Sequence, residues 1–419
     1  MRLMTLHSEI AKEEKIEKWK QNFLPDNFSI EGLTDWGFFH SSQAIENKVQ
    51  ENDTDSYILL LAGGGVEKLA ETVIVNSQKP VLLWSHAENN SLAASLEIMG
   101  TYQNKYMLQM VYGSYQEKRV KEKISTFSRV VSLMRHLKSM KIGLFGSPSD
   151  WLLLSCQSNT EPFGMQFKRF ETNIITKKMK KIDDKKVLPY QKRFLSGVSS
   201  TEIAPSEIIT AIKAYLALKS FINTYQIDAF TLSCFDLLKD NYTACLALSY
   251  FNDENIPAAC EGDIHALVAM IISNFLTGKP AWMANPSSLY PDEKQIQFAH
   301  CTIPISLLAK DKPINLKTHM ESDLSVAVEG SLQNKEVTVF RLSGDYKRIL
   351  AFTGNVIGNN ECNPHLCRTQ SLIQVNFDIN RWLQRSAGNH QLIVYGNILP
   401  ELELFCELNQ MQPDIMDES

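Results

Sequence analysis

Unbroken apolar runs are short throughout this chain: none approaches the roughly 20 residues that a spanning helix needs. The stretch from Met1 to Lys20 is charged and helix-patterned rather than an apolar leader core, so the expected setting is the cytoplasm. Charge of one sign is equally scarce. Lys and Arg number 42 against 47 Asp and Glu, a net of −5, which excludes a nucleic-acid-coating protein and a disordered polyelectrolyte. The eight cysteines are mostly scattered and often sit in apolar runs, where Cys behaves as a small buried hydrophobe, so a disulfide framework is not expected. There is no internal repeat.

What is present is length and alternation. The 419 residues exceed one ordinary domain, and two or three domains are expected. A helical lead-in reaches about Asn52, with Ile10, Ile16, Trp19 and Phe23 at broadly helical spacing. Two short apolar runs, Tyr57–Ala62 and Val81–Trp84, flank a helical pattern around Val66 to Val73, the βαβ signature of a parallel sheet. A new unit begins at Lys141–Gly146, and a helix is signalled from Pro205 with Ile208, Ile212, Tyr215, Leu218 and Ile222 on one stripe. The strand Ala229–Cys234, a helix over 242–251, the short run Ile256–Cys260, a helix over 264–276 and the run Ala281–Ala284 read as β-α-β-α-β. Beyond Asn285 strands and turns dominate, and a barrel-like end is expected. The expected architecture is α/β: two Rossmann-like domains with parallel sheets, 1–140 and 141–290, then a β-rich, barrel-like C-terminal domain, 291–419. Lys168 to Arg193 carries ten basic residues against three acidic ones, and reads as a solvated helix and loop because aromatics are not interleaved with the charge.

Ligands of open α/β sheets bind outside the carboxyl ends of the strands, so polar residues there are the first candidates. They are Asp236, Glu261, Asp263 and Asn285. Asp263 also suits the cap of the following helix, whereas Glu is a poor cap and Glu261 stands at a turn. His300 ends one predicted strand and His390 opens another; His7, His136 and His319 have no neighbours suggesting a role. Cys362, His365 and Cys367 come near zinc-ligand spacing, but lack a fourth ligand and a second short pair, and are not expected to hold zinc. Gly63-Gly-Gly65 lacks both GxGxxG spacing and the Lys-Ser/Thr of a P-loop, so a sharp turn is expected.

Several motifs in order, Phe235–Leu238, Thr243–Leu248, Ile256–Asp263, Gly278–Pro280, Ala284–Pro286, Ala299–Thr302, Cys367–Gln370 and Gly388–His390, together resemble the L-fucose and L-arabinose isomerase superfamily, in its shorter fucose-isomerase-like branch. Ile142–Trp151 and Asn90–Leu92 add to the resemblance, which covers roughly residues 56 to 400. It implies two α/β domains and a barrel-like end, a homo-oligomer, and a divalent cation such as manganese held by a Glu, an Asp and a His during aldose–ketose exchange through an enediol. On this sequence the glutamate falls on Glu261, the histidine on His390, and the aspartate position on Asn285, a departure. An amide offers one neutral oxygen and no base near neutral pH. Two readings follow: a metal-dependent sugar isomerase with Glu261 and Asn285 at the reaction, Glu261, Asn285 and His390 on the metal, and Asp236, Asp263, His300 and Arg368 toward the sugar; or a carbohydrate-binding or regulatory protein that has lost turnover. Neither nucleic acid nor membrane is an expected partner.

Overall fold

The computed structural model describes residues 1–25, 28–51, 53–157, 161–358 and 362–418. The chain forms two compact units, Met1–Arg135 with Glu403–Gln410, and His136–Leu402 with Met411–Ser419.

The first unit is built on β1 (Arg2–Leu6), β2 (Thr34–Phe39), β3 (Tyr57–Leu61), β4 (Val81–Ser85) and β5 (Leu108–Tyr112). They pair in parallel in the order β2-β1-β3-β4-β5, a doubly wound sheet. Every residue of β3 and β4 is buried, as expected of central parallel strands covered on both faces. The expected helical lead-in is corrected here. It contains the strands β1 and β2 as well as helices Glu13–Phe23 and Ser42–Gln50, and its last residue, Asn52, lies outside the described residues. Arg2 and the mixed Thr34–Phe39 run hid two strands whose partners are distant in sequence.

The second unit opens with β6 (Lys141–Phe145) and β7 (Gln166–Phe170), followed by the two-residue β8 (Ser200–Thr201), then β9 (Ala229–Leu232) and β10 (Ala258–Ala259). A second parallel sheet runs β10-β9-β6-β7. The chain continues through β11 (Trp282–Tyr290), β12 (Gln295–His300), the short β13 (Asn315–Lys317) and β14 (Ala327–Glu329), β15 (Glu336–Leu342), β16 (Arg348–Gly358), β17 (Thr369–Gln374), β18 (Gln391–Tyr395) and β19 (Gln412–Ile415). Six of these close on themselves in the order β15-β18-β11-β12-β17-β16, with β16 pairing back onto β15, all antiparallel. The result is a six-stranded antiparallel barrel, with β19 added in parallel to β16. β8, β13 and β14 form a separate three-stranded sheet.

The run Ala281–Ala284 was expected to close the middle parallel sheet. From Trp282 on it belongs instead to β11, which pairs antiparallel with β12 and β18, so Asn285 is a barrel residue. A short apolar run carries no periodicity that could tell the two sheets apart. The helix Ile264–Thr277 lies against both structures, touching β9 and β10 on one side and β15 and β18 on the other. Its N-cap Asp263 accepts from Ala266 N at 2.9 Å, and Gly278, at φ +65°, ends it in the left-handed conformation that favours glycine. The cap therefore stands where the parallel sheet meets the barrel.

Candidate active site

Glu261 follows the two-residue strand β10 and, at φ +60°, takes the left-handed conformation; Gly262 follows at φ +72°. Two successive residues in that region turn the chain sharply, and the non-glycine one is strained. The turn is pinned on both sides, because Gly262 N donates to Leu232 O at 3.1 Å and Ser149 N donates to Glu261 O at 2.9 Å. A Cβ on Gly262 would lie 2.6 Å from Pro148 Cα, so only glycine fits against this loop. The side chain of Glu261 emerges beside two histidines brought by the barrel. His390 precedes β18, and its Nε2 lies 3.4 Å from Glu261 Oε1; His300 ends β12, and its Nε2 lies 3.9 Å from the same oxygen. Ligand atoms of Glu261, His300 and His390 all lie within 4.8 Å of one another, the group of this kind among the described residues.

Each member is oriented by a second contact. His390 Nδ1 meets Asp263 Oδ2 at 2.9 Å, which directs its other nitrogen toward Glu261; that Nε2 is buried and has no hydrogen-bond partner. His300 Nδ1 is bonded to Thr302 Oγ1 at 2.8 Å. Trp151 Nε1 donates to Glu261 Oε2 at 2.7 Å, leaving Oε1 facing the histidines. Asp263 is itself saturated: Oδ1 accepts from Ser155 Oγ at 3.0 Å and Ala266 N at 2.9 Å, and Oδ2 is paired with Arg341 Nη1 at 3.2 Å. Arg341, with 1% of its surface exposed, also donates to Ala387 O and His390 O. A carbon on Gly388 would collide with its guanidinium. These contacts fix the ring orientations in the manner of outer partners at metal sites.

The electrostatics follow from burial and pairing. Burial pushes the Asp263 carboxyl up, but Arg341, His390 and the cap N–H outweigh it and hold the group well below the usual carboxylate range. Burial likewise opposes ionisation of Glu261, yet His390, His300 and the Trp151 N–H leave its pKa lowered. Burial lowers His390, but the carboxylates of Asp263 and Glu261 raise it overall. His300 is lowered to about 3 by burial and by His390, so its imidazole is neutral at ordinary pH and has a lone pair to give.

The remaining sequence candidates separate. Asn285 pairs with Ala299 on β12 and lies one step beyond the Ala284–Gln391 pair on β18, level with His390. Its Oδ1 is buried without a hydrogen-bond partner. Asp263, expected to meet a sugar, is fully buried and faces protein groups only. Asp236 lies on the 3₁₀ helix Cys234–Asp240 and pairs with Lys239 at 3.5 Å. Arg368 is held by Thr318, donating to its carbonyl at 2.8 Å and its hydroxyl at 3.1 Å. His319, set aside on sequence, stands near enough for Glu261 to raise its pKa, although burial lowers it overall. Cys362 is exposed, whereas Cys367 meets the buried Cys301. Gly64 N donates to Asn89 O at 2.7 Å in the Gly63–Gly65 turn. Trp151 and Arg341 escaped the sequence reading as site residues; a lone arginine in the apolar run Val337–Leu342 was the available signal for the second.

No protein-family model matches the chain. Among the proteins it is similar to are sulfoquinovose isomerases. The chain is 24% identical over 326 residues to the sulfoquinovose isomerase of Clostridium sp. (strain MSTE9), covering 73% of this chain and 71% of the relative. It is 23% identical over 298 residues to that of Priestia aryabhattai, 67% of each chain, and 23% identical over 296 residues to that of Alkalicoccus urumqiensis, 66% of this chain and 67% of the relative. At this low identity the chain is similar to sugar isomerases, and the buried Glu-His-His group could hold a metal.

Proposed function

We propose that this protein is a metal-dependent aldose–ketose isomerase. The observation that carries the reading is the buried convergence of Glu261, His300 and His390, with His390 Nε2 lacking a hydrogen-bond partner. That donor set fits a divalent ion of borderline hardness: one carboxylate oxygen and two imidazole nitrogens, each oriented by an outer partner, with the orphaned Asn285 Oδ1 as a neutral fourth donor. When bound there, such an ion would polarise a sugar's carbonyl and adjacent hydroxyl.

The chain's own residues supply the proton chemistry. Glu261 is the carboxylate base: its Oε1 is turned to the histidines, and its Oε2, which keeps a lone pair beside the Trp151 N–H, takes the proton from C2 of an aldose and returns it to C1 through an enediol, the O2 hydroxyl proton passing to O1. Asn285 cannot share that work, and Asp263, with both oxygens engaged, holds His390 rather than reaching a substrate. Burial of the group keeps bulk water from the carbon acid. The relatives' names make sulfoquinovose the first sugar to try. Manganese, a homo-oligomer and a cytoplasmic setting complete the proposal.

Elemental analysis and calorimetric titration with Mn²⁺, followed by chromatography of sulfoquinovose, pentoses and 6-deoxyhexoses after incubation, test it. Mn²⁺-dependent conversion and metal uptake that Glu261→Gln reduces are expected, and Asn285→Asp should tighten uptake and raise turnover. Metal binding unaltered in Glu261→Gln would overturn the ligand set. Absence of conversion by both wild type and Asn285→Asp would leave a binding protein in place of an enzyme.

A further inference from the structure

Trp151 is an unusual neighbour for a buried carboxylate, because 54% of its surface is exposed. A large aromatic ring in water is ordinary when it stands alone, but this one is fixed from several directions. Its N–H is committed to Glu261 Oε2, and its edge meets Phe235 with ring centroids 4.9 Å apart at 87°. The loop that carries it is tied down where Ser149 N donates to Glu261 O and Leu152 N donates to Ser149 O at 2.8 Å. Pro148, in the same loop, abuts Gly262, so the loop and the turn bearing Glu261 fit only one way. Phe235 in turn meets His319 edge to face at 5.7 Å. Three separate segments thus set an aromatic wall beside the carboxylate, and its outermost member keeps a surface open to solvent.

We propose that the solvent-facing side of the Trp151 ring is a sugar platform: the C–H-rich, apolar side of the substrate lies on it while the C1–C2 end meets Glu261. This rests on the isomerase reading and adds to it the group that positions the sugar. The physical case is pre-organisation. Tryptophan offers a broad apolar face with few rotamers to freeze, and here even those are locked by the N–H bond and the packing against Phe235, so little ordering remains to be done on binding. The bond to Glu261 also couples the platform to the base, so that a sugar resting on the ring is held in register with the oxygen that takes its proton.

The two roles of the side chain separate by substitution. Trp151→Phe keeps an aromatic face and removes the N–H donor; Trp151→Ala removes both. Steady-state conversion of the best sugar should show KM close to wild type and a lowered kcat for Trp151→Phe, against a KM raised about tenfold for Trp151→Ala. Both variants should melt cooperatively and lose Mn²⁺ affinity to the same extent, since both lack the N–H that orients Glu261, so at saturating Mn²⁺ the difference in KM between them reads the aromatic face alone. Ligand-observed NMR with the same sugar gives a readout independent of turnover. If the wild type binds the sugar without converting it and Trp151→Ala no longer binds it, the platform stands and the isomerase reading falls. A KM for Trp151→Ala within twofold of wild type, a change in oligomeric state with no change in KM, or no sugar binding by the wild type at all would each overturn the platform.

Discussion

Replacing Asp263 by Asn changes one atom in a fully buried side chain and should damage the site twice. Oδ1 could keep its contacts with Ser155 and Ala266 N, so the helix cap survives. The other position, which accepts from Arg341 at 3.2 Å and His390 at 2.9 Å, becomes an amide NH₂ that faces two donors. Arg341, 1% exposed, is left with no carboxylate, and breaking a buried pair from one side typically costs about 3–5 kcal/mol. His390 meanwhile meets a donor where it met an acceptor, which favours the tautomer carrying its proton on Nε2 and removes the lone pair facing Glu261. Loss of such an outer partner typically weakens metal binding by about 10- to 100-fold. Denaturant unfolding followed by circular dichroism, in chelator so that no metal contributes, reads the first effect. Calorimetric titration with Mn²⁺ reads the second. The double variant Asp263→Asn, Arg341→Met should recover part of the stability but none of the metal affinity, because it removes the stranded charge without restoring the histidine tautomer. A loss of less than about 1 kcal/mol in Asp263→Asn would refute the pairing with Arg341, and an Mn²⁺ affinity within a factor of about two of wild type would refute the orienting role toward His390.

Gly262→Ala should lower the melting temperature and weaken Mn²⁺ uptake together, since φ is +72° and the new Cβ would meet Pro148 Cα at 2.6 Å; a cost of roughly 1–3 kcal/mol is expected, and an unchanged melting profile would contradict it. Glu254 is bonded to Tyr215 and to Arg193 at 2.8 Å and Lys219 at 3.2 Å, which outweigh burial and leave its pKa below the ordinary 4.5. Its stabilisation is therefore complete above pH 4.5 and lost as pH falls through the depressed value. Thermal melts of wild type and Glu254→Gln should differ by roughly 1–3 kcal/mol near neutrality and converge in acid; a gap that widens in acid would refute the assignment.

The local chemistry of this chain was largely written in its sequence. Buried parallel strands are continuous apolar runs, and the runs Tyr57–Ala62 and Val81–Trp84 were legible as the strands Tyr57–Leu61 and Val81–Ser85. Asp263 and Gly278 bracket their helix by capping preferences that act over four residues at most, and the turn at Cys260–Gly262 places Glu261 at a strand's carboxyl end whatever the rest of the chain does. The β-rich last third announced a barrel through the change in pattern alone.

What the sequence left open depended on partners far along the chain. β1 is a strand because the distant β3 gives it a ladder, and β2 because β1, some thirty residues earlier, gives it one; their own composition is mixed. Asn285 belongs to the barrel rather than the parallel sheet because hydrogen-bond register, which no short apolar run encodes, pairs it with Ala299. Closure of six strands is what carries His300 and His390 to the same glutamate oxygen, and what sets Arg341, a charge in an otherwise apolar strand, against Asp263. A residue's type fixes what it can donate or accept, and only the closed barrel fixes which groups it meets.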